Sequence, residues 1–191
     1  ERTLKNQYYY NPASMSDYSS TSFSEFSVVY FQNEDKIYRQ QFGSGDKGLK
    51  VKASSYQKFK KNRSIWGSAS YQNTKTGIIK WNENLDYNRI TPYSTADSLG
   101  GKLKIERYFF EGGFVQEKEK WTYSGKVSYL AQLGYRSKDP RLNSITSDLS
   151  INAGVNYKIY KSYKIGVFGE FNKYTQNNKL SFQSLLGRPF V

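Results

Sequence analysis

Three charged residues, Arg136, Asp139 and Arg141, cluster around Pro140 and form the group in this chain best suited to chemistry. An arginine guanidinium is a planar fork that grips a carboxylate or a phosphate through paired hydrogen bonds. An Asp that precedes a Pro favours a turn. Two interpretations are open: a loop that contacts a ligand or a partner, or a turn that Asp139 locks through an arginine.

The residues needed for most enzyme chemistry are missing. The chain has no His and no Cys, which removes His-based acid–base catalysis, thiol catalysis and the usual zinc and iron–sulfur sites. Its carboxylates, among them Glu106, Glu111 and Glu117, show neither the spacing of a calcium loop nor that of paired catalytic acids. The sequence therefore predicts a non-enzymatic protein with no catalytic residue, no metal site and no cofactor.

The segment that leads into the charged cluster, from Trp121 to Arg136, alternates between apolar and polar residues. Strand side chains alternate between two faces, so one face of this segment is apolar and the other polar. The segment far exceeds the usual soluble strand of about 5–6 residues, and about 9–11 residues suffice to cross a bilayer. We predict a lipid-facing strand face formed by Trp121, Tyr123, Val127, Tyr129, Leu133 and Tyr135.

The same alternation recurs along the chain and predicts strands joined by hairpins. Short turns near residues 60–63, 117–120 and 160–162 are interspersed with longer connections over 32–46, 88–103 and 137–147. Both kinds of connection alternate correctly only if a further strand, or a segment folded into a lumen, lies between Asn88 and Leu103. The predicted strands are Phe23–Phe31, Lys47–Phe59, Ser64–Asn73, Thr76–Asn88, Arg107–Gln116, Trp121–Arg136, Leu149–Ile159 and Tyr163–Lys173, with another beginning at Lys179–Gln183.

Composition narrows the class of protein. The longest strongly apolar run is Val28–Phe31, far short of the roughly 20 residues of a spanning helix. The net charge of +13 would suit a protein that binds nucleic acid. The basic residues, however, are spread over nearly all segments and form no nucleic-acid recognition motif. We therefore expect an all-β, antiparallel up-and-down transmembrane β-barrel of about eight or more strands. A soluble β-sandwich or lipocalin-like barrel remains the alternative.

Several motifs resemble those of a Bacteroidota family of outer-membrane β-barrel proteins of unassigned function. They are LKNQYYYNPASM near the start, Thr91-Pro92-Tyr93, Ala96–Gly101, Tyr108–Gly113 and SYLAQLGYRSKDPRLNSITSDL, in which Tyr-Arg-x-x-Asp-Pro-Arg at Tyr135–Arg141 is the most specific. The resemblance implies a bacterial outer-membrane location and a larger barrel continuing after Val191. Residues 1–191 would then form one barrel region, with a lead segment over 1–21 and hairpins over 22–191, and any signal peptide would already have been removed.

Two function classes follow from the sequence. The first is a non-enzymatic outer-membrane barrel, acting as a subunit of an envelope assembly or as a solute channel. Its partners would be outer-membrane lipid and proteins of an envelope complex, and not nucleic acid. The second is a soluble β-rich binding module with a basic surface.

Overall fold

A single antiparallel sheet of seven strands dominates the computed structural model, which describes residues 8–59, 62–92, 98–137, 139, 141–160 and 163–182. Each strand pairs with its sequence neighbours, so the order is β1 to β7 and the topology is an up-and-down meander. The sheet is not closed into a barrel: β1 and β7 are its two edges. The strands are β1 (Phe23–Glu34), β2 (Gly45–Phe59), β3 (Arg63–Ile79), β4 (Gly101–Lys118), β5 (Trp121–Tyr135), β6 (Arg141–Tyr160) and β7 (Tyr163–Ser181).

The all-β antiparallel prediction is confirmed, and two predicted strands are wrong. Thr76–Asn88 is not a strand of its own, because β3 runs on to Ile79 and the chain then leaves the sheet. No new strand starts at Lys179, because β7 continues without a break to Ser181, and Gln183 lies outside the described residues. Merging these segments gives seven strands in the described part of the chain, against the eight or more expected. The predicted strand Phe23–Phe31 is confirmed and runs on to Glu34, which gives β1 a length of 12 residues.

Because Thr76–Asn88 does not form a separate strand, the short and long connections alternate correctly without a further strand between Asn88 and Leu103. The short connections after β2, β4 and β6 lie at one end of the sheet, and the longer ones after β1, β3 and β5 lie at the other. Two short helices interrupt the otherwise extended chain, a 3₁₀ helix at Pro12–Asp17 and α1 at Tyr87–Ile90. Neither these nor any other helix among the described residues has the length and apolar character to cross a membrane.

The two faces of the sheet differ in chemistry and in exposure. On β5, Trp121 and Val127 are 45% and 47% exposed, whereas Thr122 and Gln132, at positions of the opposite parity, are 6% and 3% exposed. We name the side with Trp121 and Val127 the apolar face and the side with Thr122 and Gln132 the polar face. The usual arrangement of a soluble sheet, with its apolar face buried on a core, is therefore reversed.

Candidate functional site

The polar face is the candidate site, because two segments from outside the sheet fold onto it. The N-terminal cover (residues 8–18) lies at the end with the short turns and contacts β4, β5 and β6. The loop cover (residues 80–90), which follows β3, lies at the end with the long connections. Each cover sits over a small apolar cluster, Tyr56, Trp66 and Val115 at one end and Ile79, Leu103 and Leu142 at the other.

Asn11 fixes the N-terminal cover at both the helix and the sheet. Its side-chain oxygen accepts a hydrogen bond from the backbone N–H of Ala13 at 3.0 Å, which caps the 3₁₀ helix that begins at Pro12. Its side-chain N–H donates to Oδ1 of Asn156 on β6 at 2.7 Å. From β2, the Tyr56 hydroxyl donates to the Met15 carbonyl at 2.9 Å. The buried side chain of Asn11 thus both caps the 3₁₀ helix and attaches the N-terminal cover to β6.

Asp17 ties the end of the same cover to β7. It accepts hydrogen bonds from Lys164 Nζ at 2.8 Å and from the Tyr8 hydroxyl at 2.7 Å. Burial acts to raise the pKa of Asp17, but these bonds outweigh it and the pKa is lowered. Burial and the Asp17 carboxylate raise the pKa of Tyr8 to about 12. The stabilisation from Asp17 is therefore present above its usual pKa and is lost as the pH falls through the lowered value.

A buried ion pair between Arg136 and Glu83 anchors the loop cover. Nη1 of Arg136 donates to Oε1 of Glu83, and the two side chains are 2% and 0% exposed. Nη2 of Arg136 donates to the carbonyls of Ile79 and Asn82 at 3.2 and 3.3 Å. Asn82 in turn donates to the Gln41 carbonyl at 2.9 Å, in the connection between β1 and β2. One guanidinium, at the end of β5, thus holds the point where the chain leaves β3.

Two further charges of the loop cover reach across the polar face. Asp86 accepts hydrogen bonds from Gln132 on β5 at 3.0 Å and from the Tyr174 hydroxyl on β7 at 2.8 Å. Arg89 pairs with Asp148 on β6 at 2.5 Å, and its guanidinium lies 3.8 Å from the centre of the Tyr174 ring. The side chains of Asp86 and Arg89 therefore connect the loop cover to β5, β6 and β7.

Glycines on the polar face make room for the groups that lie on it. A Cβ added at Gly154 would overlap Asn11, one at Gly134 would overlap Leu85 of the loop cover, and one at Gly113 would overlap the Trp66 ring. Gly169 on the apolar face behaves differently, since an added Cβ there meets nothing within 4 Å. The first three glycines are thus positions of close approach within strands.

Between the two covers the polar face carries charges that line a small cavity of about 270 Å³. Lys126 on β5 lies 3.7 Å from Glu111 on β4. Glu170 on β7 accepts a hydrogen bond from Ser150 on β6 at 2.7 Å. Both signs of charge are present, as in a hydrated polar interior, and the described residues bring no three carboxylates together as a metal site.

The cluster at Arg136, Asp139 and Arg141 separates into two interactions. Arg141 donates to Asp139 at 3.1 Å, the geometry of a turn lock, and this pair is partly exposed. Arg136 turns to the polar face and pairs with Glu83 instead. Lys138 and Pro140 lie outside the described residues. Of the predicted lipid-facing residues, Trp121, Tyr123, Val127 and Tyr129 are exposed on the apolar face, and Leu133 and Tyr135 are half-buried on it.

Sequence reasoning missed both covers. An Asn before a Pro at the start of the chain is a helix-initiation signal, but the segment is too short to show a helical period. Glu83 interrupts the alternation that follows Trp81, and this interruption marked a chain leaving the sheet. Gly134 and Gly154 fall on the polar side of the alternating pattern, where a glycine within a strand signals close approach. Their partners could not be identified without the fold.

The fold and the site define a class of protein: a long-stranded antiparallel meander whose apolar face is bare and whose polar face is partly covered by two segments of its own chain. Residues 12–188 match a family model described as a family of unknown function (DUF6850). The match spans most of the chain, which therefore belongs to that family. Comparison with curated proteins and with solved structures gave no match.

The fit of the N-terminal cover is tested by Gly154→Ala. The new methyl group overlaps Asn11, so we expect the cover to lose its seat and residues 8–18 to exchange amide hydrogens faster and to become sensitive to limited proteolysis. Gly169→Ala is the matched control, because it adds the same methyl group to open space on the apolar face. Equal protection of residues 8–18 in the two variants would contradict the seating of Asn11 on Gly154.

The anchor of the loop cover is tested by Arg136→Met. Breaking a buried ion pair leaves Glu83 charged and buried, so we expect a loss of about 3–5 kcal/mol in the free energy of unfolding. Arg136→Met combined with Glu83→Leu should recover part of this loss. Arg141→Met removes the partly exposed pair with Asp139 and should cost at most about 1 kcal/mol. Denaturant titration followed by tryptophan fluorescence measures all three, and equal costs for Arg136→Met and Arg141→Met would contradict the anchoring role.

Proposed function

We propose that this sheet forms part of the wall of a transmembrane β-barrel in a bacterial outer membrane, and that the protein is a non-enzymatic subunit of an envelope assembly or a solute channel. The observation that carries the proposal is the bare apolar face. Soluble proteins rarely expose contiguous apolar patches of more than a few hundred Å². Here large apolar residues are exposed on all seven strands, for example Phe26, Leu49, Ile65, Phe110, Val127, Ile151 and Val167.

Charges near the middle of the strands support the proposal, because they turn to the polar face. Lys52 on β2, Glu111 on β4 and Lys126 on β5 all alternate with apolar-face neighbours and lie on the opposite side. The apolar-face neighbours of Lys52 are Val51 and Ala53. A barrel strand in lipid needs this arrangement, because a Lys or Arg at the bilayer midplane on the lipid face costs about 2–4 kcal/mol.

The apolar band runs obliquely to the strands, as strand tilt in a barrel requires. A straight line of paired residues leads from Phe26 on β1 through Ala53, Ala69, Phe110, Tyr129 and Leu149 to Lys173 on β7. The line thus starts inside the apolar band and ends on a charge. The parallel line through Phe171 on β7 ends at Ser24 on β1. Strands of membrane barrels tilt by about 35–45°, so a band parallel to a membrane crosses their registers in this way.

Aromatic residues near the borders of the band also fit a membrane interface. The ring centroids of Tyr71 and Tyr108 lie 5.1 Å apart. From this point towards the long connections, the next residues that β3 and β4 place on the apolar face are polar or charged. At the other end of the band the rings of Trp121 and Tyr157 lie 4.7 Å apart. Trp and Tyr are enriched at both interfaces of membrane proteins, where an apolar ring body meets a polar headgroup layer.

The covered polar face bears on the choice between assembly subunit and channel. On the proposed barrel it faces the lumen, and the two covers occupy both ends of the lumen wall. Solute would have to pass beside segments that hydrogen bonds and a buried ion pair hold in place. The geometry therefore favours the assembly role, and conduction would need release of a cover.

The membrane proposal is tested by Val127→Lys against Ser128→Lys. Val127 lies in the middle of the apolar face, so a lysine there would be placed in lipid, and we expect a strong loss of folding into vesicles. The adjacent Ser128 faces the polar side opposite Glu111, so the same substitution should be tolerated. Heat-modifiable gel mobility and far-ultraviolet circular dichroism after refolding with lipid vesicles measure the difference.

The opposite outcome would support the soluble alternative. A wild-type protein that is folded and monodisperse without detergent, with Val127→Lys as stable as Ser128→Lys, contradicts the membrane proposal and favours a binding module with a basic surface. Planar-bilayer current through the complete protein distinguishes the two membrane roles, since a steady conductance favours the channel over the assembly subunit.

A further inference from the structure

We propose that Lys47, Lys75 and Lys104 form a binding site for the phosphate group of an anionic lipid. The proposal rests on the membrane function proposed above and adds a ligand class to one border of the apolar face. It follows from the register of the strands, from the partners of the lysines, and from their position relative to the apolar band.

The three lysines form a row on three adjacent strands. Lys47 on β2 is paired with Lys75 on β3, and Lys75 is paired with Lys104 on β4. Neighbouring strands are about 4.8 Å apart, so the three Cα atoms lie within about 10 Å of one another. Lys102 comes two residues before Lys104 and shares its face. Four ammonium groups can therefore converge on one small area.

The row is unfavourable on its own, because like charges directly opposite each other destabilise a sheet. Among the described residues, no carboxylate lies within salt-bridge distance of any of these four lysines. Glu106, the nearest acidic residue along β4 on the same face, accepts a hydrogen bond from the Tyr108 hydroxyl at 3.1 Å. Lys104 contacts the ring of Tyr135, 5.5 Å from its centroid, which orients the ammonium without neutralising it. An external anion would supply the missing charge.

The position of the row indicates which anion. Along β3, Lys75 follows the apolar-face residues Tyr71 and Asn73, so the row begins where the apolar band ends. Four residues of strand, about 13 Å, separate Lys75 from Tyr71. A strand whose aromatic ring sits at the membrane interface places a lysine at that distance in the headgroup layer, and basic clusters there bind anionic lipids.

A cavity of about 880 Å³ opens beside the row. All four lysines line it, together with the apolar side chains of Ile78 and Leu99. Glu34 and Asp46 also line the cavity, but the four lysines outnumber these two carboxylates, so the wall remains basic. A phosphate flanked by acyl chains matches a wall that combines ammonium groups with apolar contacts.

The experiment compares two variants that remove the same charge. Lys47→Gln with Lys75→Gln disrupts the row, whereas Lys50→Gln with Lys52→Gln removes two exposed lysines from the polar face of β2. The full-length protein is refolded into vesicles of phosphatidylcholine alone and of phosphatidylcholine with phosphatidylglycerol. Lipid retained by the protein is then measured by native mass spectrometry from mixed micelles.

We expect the wild type to retain phosphatidylglycerol over phosphatidylcholine, and the row variant to lose about tenfold or more of this preference, given about 1 kcal/mol for each lysine near a membrane surface. The Lys50 and Lys52 variant should keep it. Equal loss in both variants, or no preference in the wild type, would overturn the lipid site and leave the membrane proposal standing.

Two further outcomes are informative. Failure to enter either kind of vesicle would contradict the membrane proposal and the lipid site with it. Inorganic phosphate added at the concentration of phosphatidylglycerol should not displace the bound lipid, because it lacks acyl chains. Full displacement would show that the row reads free phosphate and would overturn the assignment to a lipid.

Discussion

Strict alternation of side chains along strands of 12 to 20 residues is the constraint on which the rest of the structure depends. In an antiparallel meander every second residue of each strand joins one face, so the sequence distributes polar and apolar groups over the whole sheet at once. Here the polar groups in the middle of strands β2 to β7 gather mainly on one face, whereas β1 also carries Phe23, Val29 and Phe31 on that face. Buried polar groups cost free energy unless they are hydrogen-bonded, and the two covers supply the partners that bury and satisfy them.

The covers in turn depend on a few well-placed residues. Gly154 and Gly134 have no side chain, which leaves room for Asn11 and Leu85 to approach the sheet. Arg136 supplies a buried positive charge that Glu83 and the carbonyls of Ile79 and Asn82 accept. A buried ion pair contributes little net stability compared with apolar packing, yet it strongly penalises any arrangement that leaves one partner alone. The pair thus specifies one position of the loop cover more than it stabilises the sheet.

The alternation made much of the fold predictable, and its interruptions marked what was missed. Trp121 to Tyr135 alternates with Leu130 as its one large apolar residue on the polar side, so its two faces and its hairpin with the preceding strand followed from the sequence alone. The stretch from Thr76 to Asn88 kept enough alternation to imitate a strand, although Trp81 has a positive φ of 59° and the chain has already left β3. A period of two describes one strand at a time. It carries no information about Asn11 meeting Asn156, a contact between residues 145 apart.

The same limit explains the candidate site. Arg136 stood out because its neighbours Asp139 and Arg141 are close in sequence, but only Arg141 uses that closeness. The guanidinium of Arg136 reaches a carboxylate 53 residues away, on a loop that the alternating pattern had assigned to the sheet. Side chains next to each other along a strand point to opposite faces. Charges that are close in sequence can therefore face different surroundings, and each can pair with a residue that is distant in sequence.

On the proposed barrel, the oblique band places a demand on the edges of the sheet. Hydrocarbon offers no partner for backbone N–H and C=O groups, so an unpaired edge cannot face lipid. β1 and β7 do not pair with each other here, and their outer edges carry 12 and 19 residues. The band also meets β1 and β7 at different registers, with Phe26 in line with Lys173. Strands that complete the wall must therefore continue the oblique shift of the apolar band beyond Phe171 on β7. A sheet that closed on itself by pairing Phe26 with Lys173 would instead place a lysine inside the apolar band.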